Sequence, residues 1–467
     1  MDRTVGWIID LYPRPGQMIV WLKQRDGTCA RLVDRWKPRI YVGGEFGDLL
    51  NLVCEPYVKH ASFVEKTERA VDQFKSRVLE IEVKSEKEAS ILADKIQRAG
   101  SYSKFRLYNV DIPFTQMYLY EKDLFPLAHV EAENEKGGVK WTIHDSREAI
   151  DYQLPPLRQV KLSVKTAKSG KIRTFDDELQ SIEISHDDDK TVMDFGDESY
   201  KLLKLVDAFK LLDPDVIVTD DGDSFLFPYL ARRAQVNGIS DRLILDREGR
   251  SLGIYETQGH SYFSYGKILY RQTAARLLGR VHIDRSNAFF IEDCGLEGLF
   301  EVARTCIIPV QRCSRTTIGT SMTSLQLYHA VKQDVLIPYN KNEPEEFKDG
   351  NELLVADRGG FIFEPKVGIH DDIGELDFSS LYPMIMLKHN LSGETVKCKC
   401  CPDSADRVPE LGYNICEKWT GIVPRSLDIL LRKRMLYKKY KKEAKDPPTK
   451  LRYDQRQAAL KWILVCS

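Results

Sequence analysis

The run Gly374-Glu-Leu-Asp-Phe-Ser-Ser-Leu-Tyr-Pro383 constrains this chain more than any other segment. It places one acidic residue, Asp377, where an apolar strand gives way to a tight polar turn ending in Tyr-Pro. Phe378 brings a backbone carbonyl beside that carboxylate, Ser379 and Ser380 open the turn, and Tyr382 offers a flat ring to a sugar or a base. Such an arrangement suits a carboxylate displayed to a metal and a phosphate. A lone Asp before a turn more often caps a helix or closes the turn itself, so the weight falls on the run as a whole.

The 467 residues exceed what one hydrophobic core can organise, and about three domains is the natural expectation. Hydrophobic content of 42% with 30% charged residues is that of an ordinary globular chain. No run approaches the roughly 18 apolar residues of a membrane span, and Met1-Asp-Arg-Thr-Val lacks the pattern of a secretory leader. A cytoplasmic protein with no membrane partner is therefore expected. In that setting ten cysteines favour free thiols or a metal site over a disulfide framework. The net charge of -1 decides nothing, but its distribution does: Arg425–Lys461 holds 13 Lys or Arg against four acids. A solvated helix surface and a polyanionic partner are the two readings of that excess.

Residues 1–155 alternate at strand period, as in Trp7-Ile-Ile-Asp-Leu-Tyr12 and Gln17-Met-Ile-Val-Trp-Leu22, with turn signals at Pro13–Gly16 and Gly43-Gly44. A β-rich domain follows. The prolines of Asp151–Pro156 mark a boundary. Beyond it, Leu179–Ile184 and Asp215–Thr219 read as buried strands and Tyr200–Leu212 as an amphipathic helix, giving an α/β domain over 156–335. Arg358-Gly-Gly-Phe361 leads into the strand carrying Asp377 within a third segment, 336–424. In the last, 425–467, Leu427, Leu430, Leu431 and Met435 fall near helical period. So do Leu451, Gln455, Ala458, Ala459 and Trp462, with Pro447-Pro448 between. Two antiparallel helices result, with Arg434 and Lys461 both about 20 Å from the turn. A guanidinium fork and a mobile ammonium at equal height make a triphosphate clamp.

Asp377-x-x-Ser-Leu-Tyr-Pro383 resembles the first catalytic motif of family B DNA polymerases. The resemblance implies Mg²⁺ held by Asp377 with the Phe378 carbonyl. It implies nucleotide contacts from Ser380, Leu381 and Tyr382, the last stacking on the sugar and excluding a 2′-hydroxyl. The terminal hairpin resembles the family's fingers, with Arg434 on one helix and Lys461 opening the Lys-x-x-x-Asn-Ser motif on the other. Here Val465-Cys466 replace Asn-Ser. The second carboxylate should come from a Tyr-Gly-Asp-Thr-Asp run, and the sequence contains none. The chain alone is then expected not to polymerise DNA, and a separate C-terminal polypeptide carrying palm and thumb, a truncated gene, or a new role for the fold would each account for it.

Leu211–Leu230 resembles the second motif of the 3′-5′ exonuclease domain of these enzymes, with Leu226 in the place of the metal-binding Asp. The first motif, Asp-x-Glu, falls on Ser181-Ile-Glu183 and keeps only the Glu. The third, Tyr-x-x-x-Asp, falls on Cys294–Gly298 and loses both groups. One carboxylate of four cannot hold two metals, so an exonuclease fold without that activity is expected. The competing alignment builds a shifted site from Asp176, Asp177, Asp220, Asp221 and Asp223.

Cys398, Cys400, Cys401 and Cys416 offer four thiols just after the motif, for Zn²⁺ or as buried reduced cysteines; the spacing is not the Cys-x-x-Cys pair. His389 reads as a surface or packing residue. Trp36–Tyr41 and Tyr108–Pro113 resemble the β-rich N-terminal domain of archaeal-type members, where Phe105, Tyr108 and Tyr118 stand either to stack bases or to fill a core. The expectation is thus a multidomain α/β chain: β-rich N-terminal domain, RNase H-like exonuclease-type domain, partial palm and helical-hairpin fingers. It would act on primer-template DNA and dNTP with a complementary polypeptide; the alternative is a non-catalytic DNA-binding or structural subunit in replication or repair.

Overall fold

The computed structural model describes residues 3–72, 74–167, 173–253, 260–264, 267–271, 274–340, 347–356 and 362–466. Arg358–Phe361, expected to lead into the motif, lie outside the described residues.

Strands occur where the sequence alternates. In chain order they are β1 (Arg3–Arg14), β2 (Gln17–Lys23), β3 (Cys29–Arg35), β4 (Arg39–Gly43), β5 (Ala61–Lys66), β6 (Ser76–Glu82), β7 (Arg106–Tyr108), β8 (His129–Glu135) and β9 (Gly138–Ile143). Two sheets result, ordered β3-β2-β1-β8-β9 and β5-β6-β4-β7. Gly16 adopts φ +74° between β1 and β2, a left-handed turn position that glycine takes without steric cost. Tyr108 and Tyr118 are core residues and not base-stacking platforms. The Tyr108 hydroxyl donates to Glu68 at 2.6 Å and the Tyr118 hydroxyl to Asp34 at 2.7 Å, both out of solvent.

Next come β10 (Gln159–Ala167), β11 (Glu178–His186), β12 (Asp189–Met193), α1 (Glu198–Leu212), β13 (Val216–Thr219), α2 (Phe227–Val236), the hairpin β14 (His260–Ser264) and β15 (Lys267–Arg271), β16 (Val281–Asp284) and α3 (Phe289–Cys306). The second five-stranded sheet runs β12-β11-β10-β13-β16, with β10, β13 and β16 parallel. Parallel strands need covering helices, and α1 supplies Leu202, Leu205, Val206 and Phe209 to one core with Leu162, Ile182, Ile184 and Ile217. Asp197 caps α1 by accepting from the Tyr200 amide at 2.7 Å.

Three further helices carry candidate site residues: α4 (Leu381–Lys388), α5 (Ile422–Glu443) and α6 (Pro447–Val465). The last two form the expected hairpin, with two corrections. Pro447 and Pro448 open α6 instead of separating the helices, since proline at the first helical turn forfeits no hydrogen bond. Met435 and Leu451 are exposed; the buried stripe of α6 is Tyr453, Arg456, Ala459, Leu460 and Ile463.

By internal packing the chain divides into two compact units. One comprises 1–38, 112–324 and 434–461; the other comprises 39–111, 325–433 and 462–467. Among the described residues no helix is long and apolar enough to cross a membrane.

Candidate active site

Asp377 does not sit on a strand. Residues 373–378 have no strand pairing among the described residues, and Leu376 and Phe378 are exposed at 99% and 74%. A strand without a neighbour leaves its amides to water, so the apolar run alone does not impose the strand expected here. The turn itself is as the motif requires. Ser380 is left-handed (φ 56°, ψ 55°), its carbonyl accepts from the Met384 amide at 2.9 Å, and α4 starts at Leu381 with Tyr382 exposed and Pro383 buried. The Asp377 carboxylate is exposed and engages no other described residue, so a cation meets no competitor there. That leaves it, with the adjoining Phe378 carbonyl, fit to hold Mg²⁺.

Arg434 lies beside Lys438 one turn on, and Lys442 and Lys461 also act on that lysine. Repulsion from Arg434, then burial, then Lys442 and Lys461, holds the Lys438 ammonium below the usual lysine range. Lys461 and Lys438 are exposed, Arg434 half-buried. Nearer the turn, Lys441 pairs with Asp454 at 2.6 Å and Tyr440 packs on Tyr453 across the hairpin. Lys438, part of the basic excess but not singled out in the sequence, stands four residues after Arg434 and so on the same face.

The exonuclease-like positions are filled differently. Leu226 is 1% exposed inside the core of the α1 sheet. Ser181 and Glu183 share one face of β11, and Glu183 pairs with Lys190 at 2.9 Å. Cys294 is buried in α3, and Gly298 lies against α6: a Cβ there would stand 2.5 Å from Cys294 Cβ and 2.9 Å from the Gln455 carbonyl oxygen.

The shifted acids do not converge as a ligand set, because each has a protein partner. Asp176 pairs with Arg232 at 3.3 Å, Asp220 with Lys161 at 3.0 Å and Arg285 at 3.2 Å, and Asp221 with Arg173. Asp177 accepts from the Thr174 amide at 2.8 Å. Asp223 is buried under a two-pronged Arg315, Nε at 2.7 Å and Nη2 at 3.0 Å, and also accepts from Asn287 and from the Ala275 amide. Burial would raise its carboxyl, but Arg315 holds it below the usual range. Arg315 and His282 carried no motif that could have announced them.

The four cysteines do come together: their sulfurs all lie within 4.8 Å of one another. Three Sγ–Sγ separations are 3.7 Å (Cys400–Cys401), 3.6 Å (Cys400–Cys416) and 4.0 Å (Cys401–Cys416). His389, at the end of α4, is exposed.

Comparison with known proteins agrees with this architecture. Residues 165–289 match the model for DNA polymerase family B, exonuclease domain, and 308–466 the model for DNA polymerase family B. The chain is 26% identical to a DNA polymerase of Pyrococcus horikoshii over 97% of its own length and 39% of the relative's. Against DNA polymerase 1 of Pyrococcus abyssi it is 28% identical over 76% of the chain and 49% of the relative, and against a DNA polymerase of Archaeoglobus fulgidus 25% over 93% and 60%. The chain thus spans about two fifths to three fifths of the length of these three relatives. The solved family B DNA polymerase of Pyrobaculum calidifontis shares the fold, with a TM-score of 0.72 at 21% identity over 99% of this chain and 67% of that one. With the motif turn, the cationic hairpin and two models of one family on successive segments, this chain belongs to family B of the DNA polymerases, in its archaeal-type branch.

Proposed function

We propose that this chain forms the nucleotide-binding part of a template-directed DNA polymerase, transferring deoxynucleotides from dNTP to a primer 3′ end. The second metal-binding carboxylate of the site would come from a palm segment carrying Tyr-Gly-Asp-Thr-Asp, which this sequence does not contain. The observation that carries the reading is a contrast among acids. The shifted aspartates are engaged by protein groups, whereas Asp377 is exposed and engages no other described residue beside a helix start that displays Tyr382. In this reading Asp377 and the Phe378 carbonyl would help hold a pair of Mg²⁺ ions, of which one would activate the primer hydroxyl and the other would grip the triphosphate. Arg434, Lys438 and Lys461 bind and orient the triphosphate; their mutual repulsion is relieved when its charge arrives. Ser380 and Leu381 set the turn on which Tyr382 faces the sugar. The exonuclease-type domain is structural and non-hydrolytic, since its motif positions are packed or paired.

Primer extension tests this reading. The chain alone is expected to add no nucleotide, and a polypeptide carrying Tyr-Gly-Asp-Thr-Asp is expected to restore addition. Asp377→Ala should abolish the restored activity, and Lys461→Ala should raise KM for dNTP roughly tenfold or more. Extension by the chain alone would refute the division of the site, and 3′-5′ digestion would refute the structural role of the middle domain. A second reading, a non-catalytic DNA-binding or structural subunit of replication or repair, draws on the exposed Val465-Cys466 at the Asn-Ser positions. DNA binding without nucleotide addition, with or without the added polypeptide, would favour it.

A further inference from the structure

We propose that Cys398, Cys400, Cys401 and Cys416 hold one zinc ion as a closed, four-thiolate structural centre. This centre staples the end of α4 to the start of α5. Zn–S bonds of about 2.3 Å in a tetrahedron place sulfurs about 3.8 Å apart. The separations of 3.6, 3.7 and 4.0 Å bracket that edge. A disulfide needs about 2.05 Å, and all ten cysteines are unpaired. A cluster carrying its own sulfides would hold the four cysteine sulfurs wider apart than a single ion does.

The loop is shaped to present these ligands. Lys397 turns the chain in the left-handed region (φ 57°), and single bridges join Val396 to Ile415 and Arg407 to Asn414. Asn414 Nδ2 donates to the carbonyls of Cys398 at 2.9 Å and Cys401 at 2.8 Å. It also stands 3.5 Å from Cys398 Sγ, as an outer partner of a metal thiolate does. Lys418 Nζ donates to the Cys400 carbonyl at 2.8 Å, placing a cation beside a centre that would carry net negative charge. The apolar cluster of this loop is the four thiols and Trp419. A segment this long with so small a core needs another source of order.

The staple has two ends. Asn390, just past α4, donates from Nδ2 to the carbonyls of Cys416 and Trp419, both at 2.9 Å, and accepts from the Gly421 amide at 2.8 Å. The first amides of α5 donate back to the same loop, Ile422 to Glu394 at 2.5 Å and Val423 to Ser392 at 3.3 Å. The thiol knot therefore lies between the helix that follows Asp377 and the helix that leads to Arg434. Four protein ligands leave no open position, so the ion is structural.

Elemental analysis of the full chain, purified with reductant and without chelator, tests the site whatever the outcome of primer extension. One zinc per chain is expected, and the apo chain should take up Co²⁺ with the thiolate charge-transfer band of a tetrahedral site. Cys416→Ser should lose the metal, whereas Cys54→Ser, at an exposed cysteine elsewhere, should keep it. Removing zinc from the native chain should lower Tm and speed amide exchange in Leu381–Lys388 and at Ile422 and Val423. No zinc and no Co²⁺ uptake, iron with acid-labile sulfide, or a disulfide among the four would overturn the site. Unchanged exchange after zinc removal would overturn the staple.

Discussion

Asp223 and Leu226 stand three residues apart and have opposite fates. Asp223 keeps a charge under cover because Arg315 meets it with two nitrogens. Breaking such a pair leaves an uncompensated buried charge, which costs more than the pair itself contributes. Arg315→Ala is therefore expected to destabilise the chain by about 3–5 kcal/mol, measured by chemical denaturation; a loss below 1 kcal/mol would contradict it. Leu226 packs with Ile217, Phe227 and Leu230 in the apolar core. The obvious repair of the exonuclease motif, Leu226→Asp, puts a carboxylate where no partner waits. We expect a loss of about 3 kcal/mol or more and no 3′-5′ digestion; recovered digestion on a labelled primer would show that the side chain reaches the surface after all.

At the scale of elements, α3 and α6 approach so closely that only glycine fits at 298. An added Cβ would press on the Gln455 backbone oxygen, which cannot swing aside as a side chain would. Gly298→Ala should cost about 1–3 kcal/mol and weaken protection of α6 amides in hydrogen exchange; unchanged protection would count against this packing. Arg456 anchors the same contact, pairing with Glu297 at 2.8 Å and lying 4.0 Å over the Tyr152 ring. These contacts explain the offset in the hairpin reading. Helical period placed both helices, but α6 turns Tyr453, Arg456 and Ala459 inward where the apolar count had favoured Leu451. A long cationic side chain satisfied by a carboxylate and a ring buries as well as leucine does, and hydropathy does not register it.

For the whole molecule, two buried groups set opposing pH dependences. Burial pushes Asp10 on β1 up to about 7, although the Gly279 amide donates to it at 2.8 Å. Burial, helped by neighbouring Arg315, pushes His282 on β16 down to about 3. An acid with a raised folded value contributes stability below about pH 4 that is lost as pH rises toward 7. A histidine with a lowered one contributes stability above about pH 6.5 that is lost as pH falls toward 3. From about pH 4 to 6.5 the two offset each other. Asp10→Asn should uncover the histidine, so that unfolding free energy falls with acid at about 1.4 kcal/mol per pH unit relative to the unmodified chain. Parallel denaturation profiles for the two proteins would rule this out.

The sequence by itself determined what depends on neighbours along the chain: strands at period two in the first sheet, the α1 and hairpin helices at period 3.6, and the Ser380 turn that starts α4 beside Asp377. It also carried the family, because catalytic motifs are short and contiguous. Tertiary structure alone decided that Asp176, Asp220, Asp221 and Asp223 meet protein partners, that Arg315 answers Asp223 from 92 positions away, and that Cys416 closes on Cys398, Cys400 and Cys401. The physical reason is that backbone dihedrals and periodicity are local preferences. Charge pairing and ligand geometry depend on the path of the chain between distant residues, which no single segment encodes.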